Sequence, residues 1–135
     1  MSATRYMLDT NIVSELARNP SGKCARKLER VGTDGLCISI IVAAELRFGL
    51  RKRGSPQLTQ QMEAILDELE VIPLDQPADE EYARIRLDLE LKGTPISPND
   101  LLIAAHARSI DATLVTANIR EFKRVHGLRV ENWMA

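Results

Sequence analysis

Long apolar runs and cysteines are scarce in this 135-residue sequence. No window approaches the roughly 18 apolar residues of a membrane-spanning helix, and the N-terminus lacks the pattern of a secretory signal peptide. Cys24 and Cys37 are the only cysteines, and Cys37 lies in an apolar, strand-like run where a free thiol acts as a small hydrophobic group. These absences predict a soluble cytoplasmic protein with reduced thiols and no membrane partner.

Aromatic residues are also rare, at 4% of a chain that is 44% hydrophobic. The core must therefore be built mainly from Leu, Ile, Val and Ala, a composition that suits helices packed on a small sheet. A chain of this length is sufficient for one such domain and too short for two ordinary ones. We expect residues 1–135 to form a single domain.

No excess of positive charge marks the chain as a general nucleic-acid binder, because its net charge is −1. The charges are unevenly distributed: residues 1–54 contain ten basic and five acidic residues, residues 55–100 three and eleven, and residues 101–135 five and three. Thirteen of the 18 basic residues are Arg, whose planar guanidinium group suits phosphate. Two interpretations of each basic cluster stay open, a local phosphate-facing surface and an ordinary solvated helix face.

Short apolar runs alternate with amphipathic stretches of helical period along the chain. This alternation predicts an α/β fold with a small, mostly parallel sheet of about five strands and helices on both faces. Pro73 indicates that the third strand lies at an edge of the sheet. The predicted strands are residues 6–8, 36–40, 71–74, 112–116 and 128–130.

Two predicted helices follow the second strand, over residues 41–52 and 57–69, and we expect them to form a helical hairpin. Ile41, Glu45 and Phe48 fall on one stripe of the first of these helices. Because that stripe is otherwise apolar, Glu45 is expected among apolar neighbours.

Other predicted helices differ in character. The helix over residues 23–31 is basic and amphipathic, and the helix over residues 78–92 has an apolar side that includes Leu91. The helix that begins near Asp100 is apolar nearly all round, which is typical of a central buried helix. His106 follows Asp100 by about 240° around that helix and is expected to point elsewhere as a packed residue.

Three acidic residues lie at strand-to-helix transitions. Asp9 ends the first strand, Glu45 lies in the helix after the second, and Asp100 opens the buried helix. Right-handed crossovers place such transitions along one edge of a parallel sheet, where ligands bind in open α/β folds. Asn118 follows the strand that ends at Thr116 and is expected at the same edge. The three acids could therefore converge.

A site that gathers three carboxylates is stable at neutral pH only when protons or a divalent cation offset their charge. All-oxygen ligands select a hard ion, so Mg²⁺ or Mn²⁺ is favoured over zinc. Each acid also has a structural interpretation: Asp9 could cap a helix, and Asp100 could complement a helix dipole. Glu45 could pair with a basic residue, for which the candidates are Arg5, Arg47 and Arg51.

The surroundings of the three acids form distinctive segments. They are Leu8-Asp9-Thr10-Asn11-Ile12-Val13-Ser14-Glu15-Leu16, Ser39 with Ala44-Glu45-Leu46-Arg47-Phe48-Gly49, Asn99-Asp100-Leu101-Leu102-Ile103-Ala104-Ala105-His106-Ala107, and Leu114-Val115-Thr116-Ala117-Asn118 with Glu121-Phe122. Together they resemble the PIN-domain ribonucleases, and in particular VapC, the toxin of type II toxin–antitoxin pairs. The segments follow the family's order from residue 8 to about Trp133, so the resemblance covers essentially the whole chain.

The resemblance implies roles for individual residues. Asp9, Glu45 and Asp100 match the family's catalytic, metal-binding acids, with Asp9 and Asp100 as the expected direct metal ligands. Thr116 matches a small hydroxyl residue that helps to order the site. Asn118 falls where many members have a fourth acid or an Asn, and its neutral side chain leaves the number of ions open.

Asn11 is a further supporting residue. We expect it to cap the first helix, which leaves Asp9 free to face Asp100 across the metal.

The resemblance also implies an activity and partners. The expected activity is hydrolysis of RNA phosphodiester bonds with Mg²⁺, or with Mn²⁺ as a substitute, on tRNA or another structured RNA. The expected partners are a VapB-like antitoxin, which inserts a basic residue among the acids and lies against the hairpin between Ile41 and Leu69, and a second copy of the chain in a homodimer.

Other metal-dependent α/β folds fit less well. A phosphatase of the haloacid dehalogenase type would have an acid at position 11, where this chain has Asn11. A response-regulator receiver would have a lysine after the last long strand, where this chain has Thr116-Ala117-Asn118. No glycine-rich phosphate loop or dinucleotide fingerprint follows the first strand. The remaining alternative is a catalytically inactive PIN-like module that binds RNA or protein, and the three intact acids count against it.

Overall fold

A five-stranded parallel sheet organises the computed structural model, which describes residues 4–135. The strand order is β3-β2-β1-β4-β5, and every neighbouring pair is parallel. The prediction of a small, mostly parallel sheet of about five strands is confirmed. The third strand, β3, lies at an edge of the sheet as predicted, and it ends at Ile72, just before Pro73. The strands are β1 Tyr6–Leu8, β2 Leu36–Ser39, β3 Glu70–Ile72, β4 Thr113–Val115 and β5 Val130–Glu131.

Seven helices within the described residues cover the sheet. The chain moves from β1 through β2 to the edge strand β3, and then from β4 to β5 on the other side of β1. Crossovers of the usual right-handed kind therefore place the first four helices on one face and the last three on the other. No helix in residues 4–135 is long and apolar enough to cross a membrane. The helices are α1 Thr10–Arg18, α2 Lys23–Val31, α3 Ile40–Arg53, α4 Pro56–Asp67, α5 Ala78–Leu91, α6 Pro98–Ser109 and α7 Ile119–Phe122.

The first strand passes directly into the first helix, and this junction corrects one prediction. Asp9, and not Asn11, is the N-cap of α1, because its Oδ1 atom accepts a hydrogen bond from the Thr10 amide at 2.8 Å. The helix therefore begins two residues earlier than the apolar pattern indicated, and Asn11 lies inside its first turn. Asp9 thus combines the capping role with its place at the edge of the sheet.

Helices α3 and α4 are separated by only two residues, and an ion pair of 2.6 Å between Arg47 and Glu63 joins them. Both helices contact α1, and a groove of about 570 Å³ lies between them. The predicted apolar stripe of α3 was wrong for Phe48, which is 67% exposed. The core-facing positions are Val42, Leu46 and Leu50 at helical spacing, and Phe48 lies on the opposite side of the helix. On α5, Leu91 is likewise exposed, because Ile85 and Leu89 face the core.

The buried helix α6 behaves as predicted. Its residues 101 and 103–107 are buried, including His106. The Nδ1 atom of His106 lies 2.8 Å from the Ser39 hydroxyl, and Ser39 in turn caps α3 by accepting a hydrogen bond from the Ile41 amide. His106 is therefore a packed, hydrogen-bonded residue that connects α6 with the start of α3.

Candidate active site

The carboxyl ends of β1 and β4 place two side chains against each other. Leu8 is paired with Val115 in the sheet, so the next residues, Asp9 and Thr116, lie side by side. They lie at the rim of the sheet, which is the end where the parallel strands finish. The Thr116 hydroxyl donates a hydrogen bond of 2.7 Å to Asp9 Oδ2 and accepts one from the Asn118 amide. Register between two parallel strands thus fixes the first polar contact of the site.

Asp9 is almost fully buried, with 4% of its surface exposed. Its carboxylate accepts hydrogen bonds from the Thr10 amide, the Thr116 hydroxyl and, at 3.3 Å, the Asn11 side-chain amide. Burial raises the pKa of Asp9, the negative charge of Glu45 adds to the rise, and the three donors counteract it. The surroundings therefore hold the carboxylate in one orientation while making its negative charge costly.

Glu45 faces the same rim from the second turn of α3. Its Oε1 atom accepts a hydrogen bond of 2.6 Å from the Thr10 hydroxyl, and its Oε2 atom accepts one of 3.1 Å from the side-chain amide of Asn99. The proposed pairing of Glu45 with an arginine is not seen, since Arg5 pairs with Glu70 and Arg47 with Glu63. Thr10 and Asn99 therefore orient Glu45, a role that the sequence pattern did not identify.

Asp100 is the third residue of α6 and has a second acid beside it. Burial raises the pKa of Asp100 to about 7, with further contributions from Glu121 and, more weakly, from Asp9. Burial would also raise the pKa of Glu121, but hydrogen bonds from the Ser97 amide and the Asn118 side chain hold it below its usual value. Of the two neighbouring acids, Asp100 retains the proton.

The resulting set of groups has the chemistry of a hard-cation site. The candidate metal ligands are four carboxyl groups at the rim, those of Asp9, Glu45, Asp100 and Glu121. This set of ligands contains no histidine or cysteine. In the described part of the chain no three acidic, histidine or cysteine side chains converge closely enough to hold an ion as they stand. The pKa values of Asp9 and Asp100 are raised because burial disfavours their negative charge. A divalent cation would offset that charge, so the residues fit a hard divalent cation of the Mg²⁺ or Mn²⁺ type.

Comparison with known proteins identifies the family. A model of the PIN domain matches residues 6–128. The chain belongs to the PIN-domain family. Its five-stranded parallel sheet is thus that of a recognised fold.

Relatives of this PIN domain extend over nearly its full length. Ribonuclease VapC2 of Rickettsia felis is 41% identical over 130 residues, which cover 95% of this chain and 97% of the relative. The tRNA(fMet)-specific endonuclease VapC of Salmonella typhimurium is 37% identical over 130 residues, which cover 96% and 98%. The structure of VapBC2 from Rickettsia felis bound to a DNA fragment from their promoter matches with a TM-score of 0.88 and 40% identity, covering 96% of this chain and 99% of that one. The chain is a PIN domain of the VapC ribonuclease family.

Glu121 is the acid of this PIN domain that the sequence analysis did not assign. Asn118 was predicted as a fourth site residue, and in the structure its side chain donates a 2.5 Å hydrogen bond to Glu121 Oε2. Asn118 therefore acts on Glu121, which lies three residues later in α7. The spacing Asn-x-x-Glu is that of a helix capping box, and this pattern is the signal that could have shown Glu121 to lie at the rim.

Proposed function

We propose that this protein is the toxin of a toxin–antitoxin pair and a metal-dependent endoribonuclease that works in the cytoplasm. The observation that supports the proposal is the rim of a VapC-type PIN domain where Asp9, Glu45, Asp100 and Glu121 lie together with raised pKa values for Asp9 and Asp100. The substrate is RNA, and Mg²⁺ is the expected ion, with Mn²⁺ as its substitute.

Asp9 and Asp100 would hold the ion, with Glu121 beside Asp100. When bound, the ion supplies a water of lowered pKa and a positive charge near the phosphorus at which negative charge develops. Binding requires that Asp100 release its proton, since its pKa of about 7 leaves it partly protonated at neutral pH. Asp9 is held for this task by Thr10 and Thr116.

Glu45 is the group that would orient the attacking water. Thr10 and Asn99 hold its two oxygens, which gives the carboxylate a fixed direction rather than free rotation. His106 takes no part as a base, because its ring is buried and hydrogen-bonded to Ser39. The attack of water on phosphorus would break the bond between phosphorus and O3′, so that O3′ leaves as the 3′-hydroxyl of one product and the phosphate stays on the 5′ end of the other.

The RNA substrate is proposed to be a tRNA or another structured RNA. The tRNA(fMet)-specific endonuclease of Salmonella typhimurium, at 37% identity, supports this class. Since water is the nucleophile, the 2′-hydroxyl is not needed for the reaction, and preference for RNA comes from shape and contacts.

The antitoxin is proposed to be VapB-like and to lie in the groove between α3 and α4. This groove of about 570 Å³ is lined by residues of both helices, among them Arg47, Leu50 and Thr59. A basic antitoxin side chain placed among the rim carboxylates would neutralise them and block the ion. A homodimer of the toxin is the expected assembly.

The decisive test is RNA cleavage by the purified protein with and without divalent cations. We expect cleavage with Mg²⁺ or Mn²⁺, none with excess chelator, and none from Asp100→Asn purified in parallel. Sequencing the 5′ ends of RNA after brief expression, with Asp100→Asn as the control, would identify the cut site. Cleavage that persists in chelator would contradict the metal mechanism, and RNA binding without cleavage would favour an inactive binding module.

A further inference from the structure

Helix α2 carries four basic side chains that have no acidic partner. Lys23, Arg26 and Arg30 are exposed and Lys27 is half-buried. None of them forms an ion pair with any residue in the part of the chain that the structure describes. By contrast, every basic residue of α5 and its C-cap is paired with an acid one turn away, through Arg84–Glu80, Arg86–Glu90 and Lys92–Asp88. The positive charge of α2 is therefore available to an external anion.

These side chains line a groove rather than a convex surface. The groove has a volume of about 850 Å³ and lies between α2 and the C-terminal residues 131–135. Trp133 forms part of the wall of the groove. Its side chain is only 4% exposed and packs against Tyr6, with ring centroids 5.4 Å apart. Two acids, Glu29 and Glu131, also line it, and the Glu131 carboxylate accepts a hydrogen bond from Trp133 Nε1. Four cations against two acids leave the groove positive.

The groove adjoins the catalytic rim. The Thr116 amide donates a hydrogen bond of 2.9 Å to the Glu131 carbonyl, and the Thr116 hydroxyl contacts Asp9. The wall of the groove is thus one residue away from the carboxylate at the centre of the site. An extended ligand that contacts the groove near Glu131 and reaches past Thr116 would meet the rim.

We propose that this groove binds the sugar-phosphate backbone of the structured RNA substrate at a distance from the bond that is cut, an inference that rests on the proposed ribonuclease function. A rim of four carboxylates repels a polyanion, so attraction for RNA must come from another surface. Residues 23–30 span about 10 Å along the helix, which covers about three phosphates of one strand. The partner is therefore an extended polyanion and not a single phosphate.

The test neutralises the groove without changing the rim. The variant is the triple substitution Arg26→Gln, Lys27→Gln and Arg30→Gln. The matched control is Arg84→Gln, Arg86→Gln and Lys92→Gln, which removes the same charge from α5 and its C-cap. Thermal midpoints and far-UV circular dichroism verify folding, and the single variant Arg30→Gln is used if the triple variant unfolds.

Cleavage kinetics provide the first measurement. For a structured RNA, the groove variant should raise KM about tenfold at low salt with kcat unchanged, because contacts made equally in ground and transition states change only binding. For a short oligonucleotide that occupies only the rim, the variant and the wild type should have the same kcat/KM. An unchanged KM for structured RNA, or an equal rise in the α5 control, would overturn the proposal.

Binding provides a second measurement that does not need cleavage. Fluorescence anisotropy of labelled structured RNA in an Asp9→Asn background should show a salt dependence that is less steep by about one unit of log K per log salt for each phosphate that the groove variant no longer binds. RNA binding through the groove by a wild-type protein that cleaves nothing would refute the proposed function and leave the groove assignment standing. If the groove variant instead has weaker affinity for its antitoxin and keeps its RNA affinity, the groove binds an acidic protein segment and the proposal is wrong.

Discussion

Asp9 is the residue on which the site depends most. It caps α1, accepts three hydrogen bonds and is buried, and its pKa is raised by that burial. A buried carboxylate of this kind is unfavourable for the fold unless a cation is present. In the metal-free protein the cost of burying this charge therefore opposes the stabilising cap and hydrogen bonds that the same side chain provides.

Replacing Asp9 separates these two effects. Asp9→Asn retains an oxygen that can accept from Thr10 or Thr116, so we expect the metal-free variant to melt at the same temperature as the wild type or higher. Cleavage of RNA should fall by about two to three orders of magnitude or more, because the ion loses a ligand. Calorimetry and single-turnover cleavage measure the two quantities. Near wild-type turnover would contradict the assignment of Asp9.

The pair Asp100 and Glu121 makes metal binding pH-dependent. The pKa of Asp100, raised by burial and by Glu121 to about 7, means that an ion must displace a proton below this pH. We therefore expect Mn²⁺ affinity to fall as pH decreases below about 7, by up to about tenfold per pH unit for one displaced proton. In Glu121→Gln the neighbouring charge is gone, so the midpoint of this decrease should move to lower pH. Isothermal titration calorimetry over a pH series measures it, and an unmoved midpoint would show that Glu121 does not act on Asp100.

The stability of the metal-free protein has the opposite dependence on pH. The folded protein retains a proton on Asp100 that the unfolded chain releases above its usual pKa of 3.8. This contribution is fully present below that value and is lost as pH rises through about 7. Asp100→Asn should remove it, so the thermal midpoint of the variant relative to that of the wild type should rise from about pH 4 to about pH 7 and stay constant above it. A difference that is constant with pH would contradict the raised pKa of Asp100.

Individual residues were predictable where a local pattern marked them. Asp9 and Thr116 follow apolar runs that could only be strands, and parallel register then places them side by side. Thr10 and Asn99 were missed because each lies in a different helix from Glu45, to which it is hydrogen-bonded. These contacts join residues 35 and 54 positions apart, and no local spacing in the sequence encodes them. Glu121 was missed because it lies in the four-residue helix α7, and its contact with Asp100 joins two separate helices.

Among the helices, α3 and α6 are joined by one buried hydrogen bond. The Ser39 hydroxyl accepts from the Ile41 amide and lies 2.8 Å from His106 Nδ1. The hydroxyl has one proton and two acceptor lone pairs, so it can donate to the ring nitrogen while it accepts from the amide. Burial lowers the pKa of His106, so the ring stays neutral and retains this acceptor. The contact ties the helix that carries Glu45 to the helix that carries Asp100.

Removing this hydroxyl should destabilise the protein more than removing an ordinary cap would. Ser39→Ala loses the cap of α3 and leaves His106 Nδ1 buried without a partner, which we expect to cost about 2–4 kcal/mol. The control is Ser55→Ala, in which the cap of α4 bonds only the Leu58 amide and should cost about 1 kcal/mol. Urea unfolding of both variants gives the comparison. Equal losses would show that the His106 contact adds nothing.

At this scale the sequence predicted the elements better than their orientation. The apolar pattern located both kinds of element. The strands are short apolar runs, and in the long helices the apolar positions repeat over two or more turns. The pattern failed for the face of α3 that holds Phe48, because α3 has a second apolar stripe of Val42, Leu46 and Leu50. This second stripe is the buried one, and it lies about 130° around the helix from Ile41, Glu45 and Phe48.

The whole molecule combines an acidic rim with a basic groove beside it. The net charge of −1 hides this arrangement, because the excess of acids in residues 55–100 offsets the excess of bases in residues 1–54. The rim suits a cation or a basic side chain, and the groove along α2 suits a polyanion. Metal ion and antitoxin would therefore compete for the rim, while RNA would be attracted to the neighbouring surface.

Competition at the rim can be measured as stability of the whole protein. An ion that binds only the folded state stabilises it by about 2.7 kcal/mol at a concentration of about 100 times its dissociation constant. Mn²⁺ should therefore raise the thermal midpoint of the free wild-type protein and leave Asp9→Asn nearly unchanged. In the complex with its antitoxin, the wild type should show no Mn²⁺-dependent rise, because the basic side chain proposed for the antitoxin would already neutralise Asp9, Asp100 and Glu121. An equal Mn²⁺ response of the free and antitoxin-bound protein would show that the antitoxin inhibits without entering the rim.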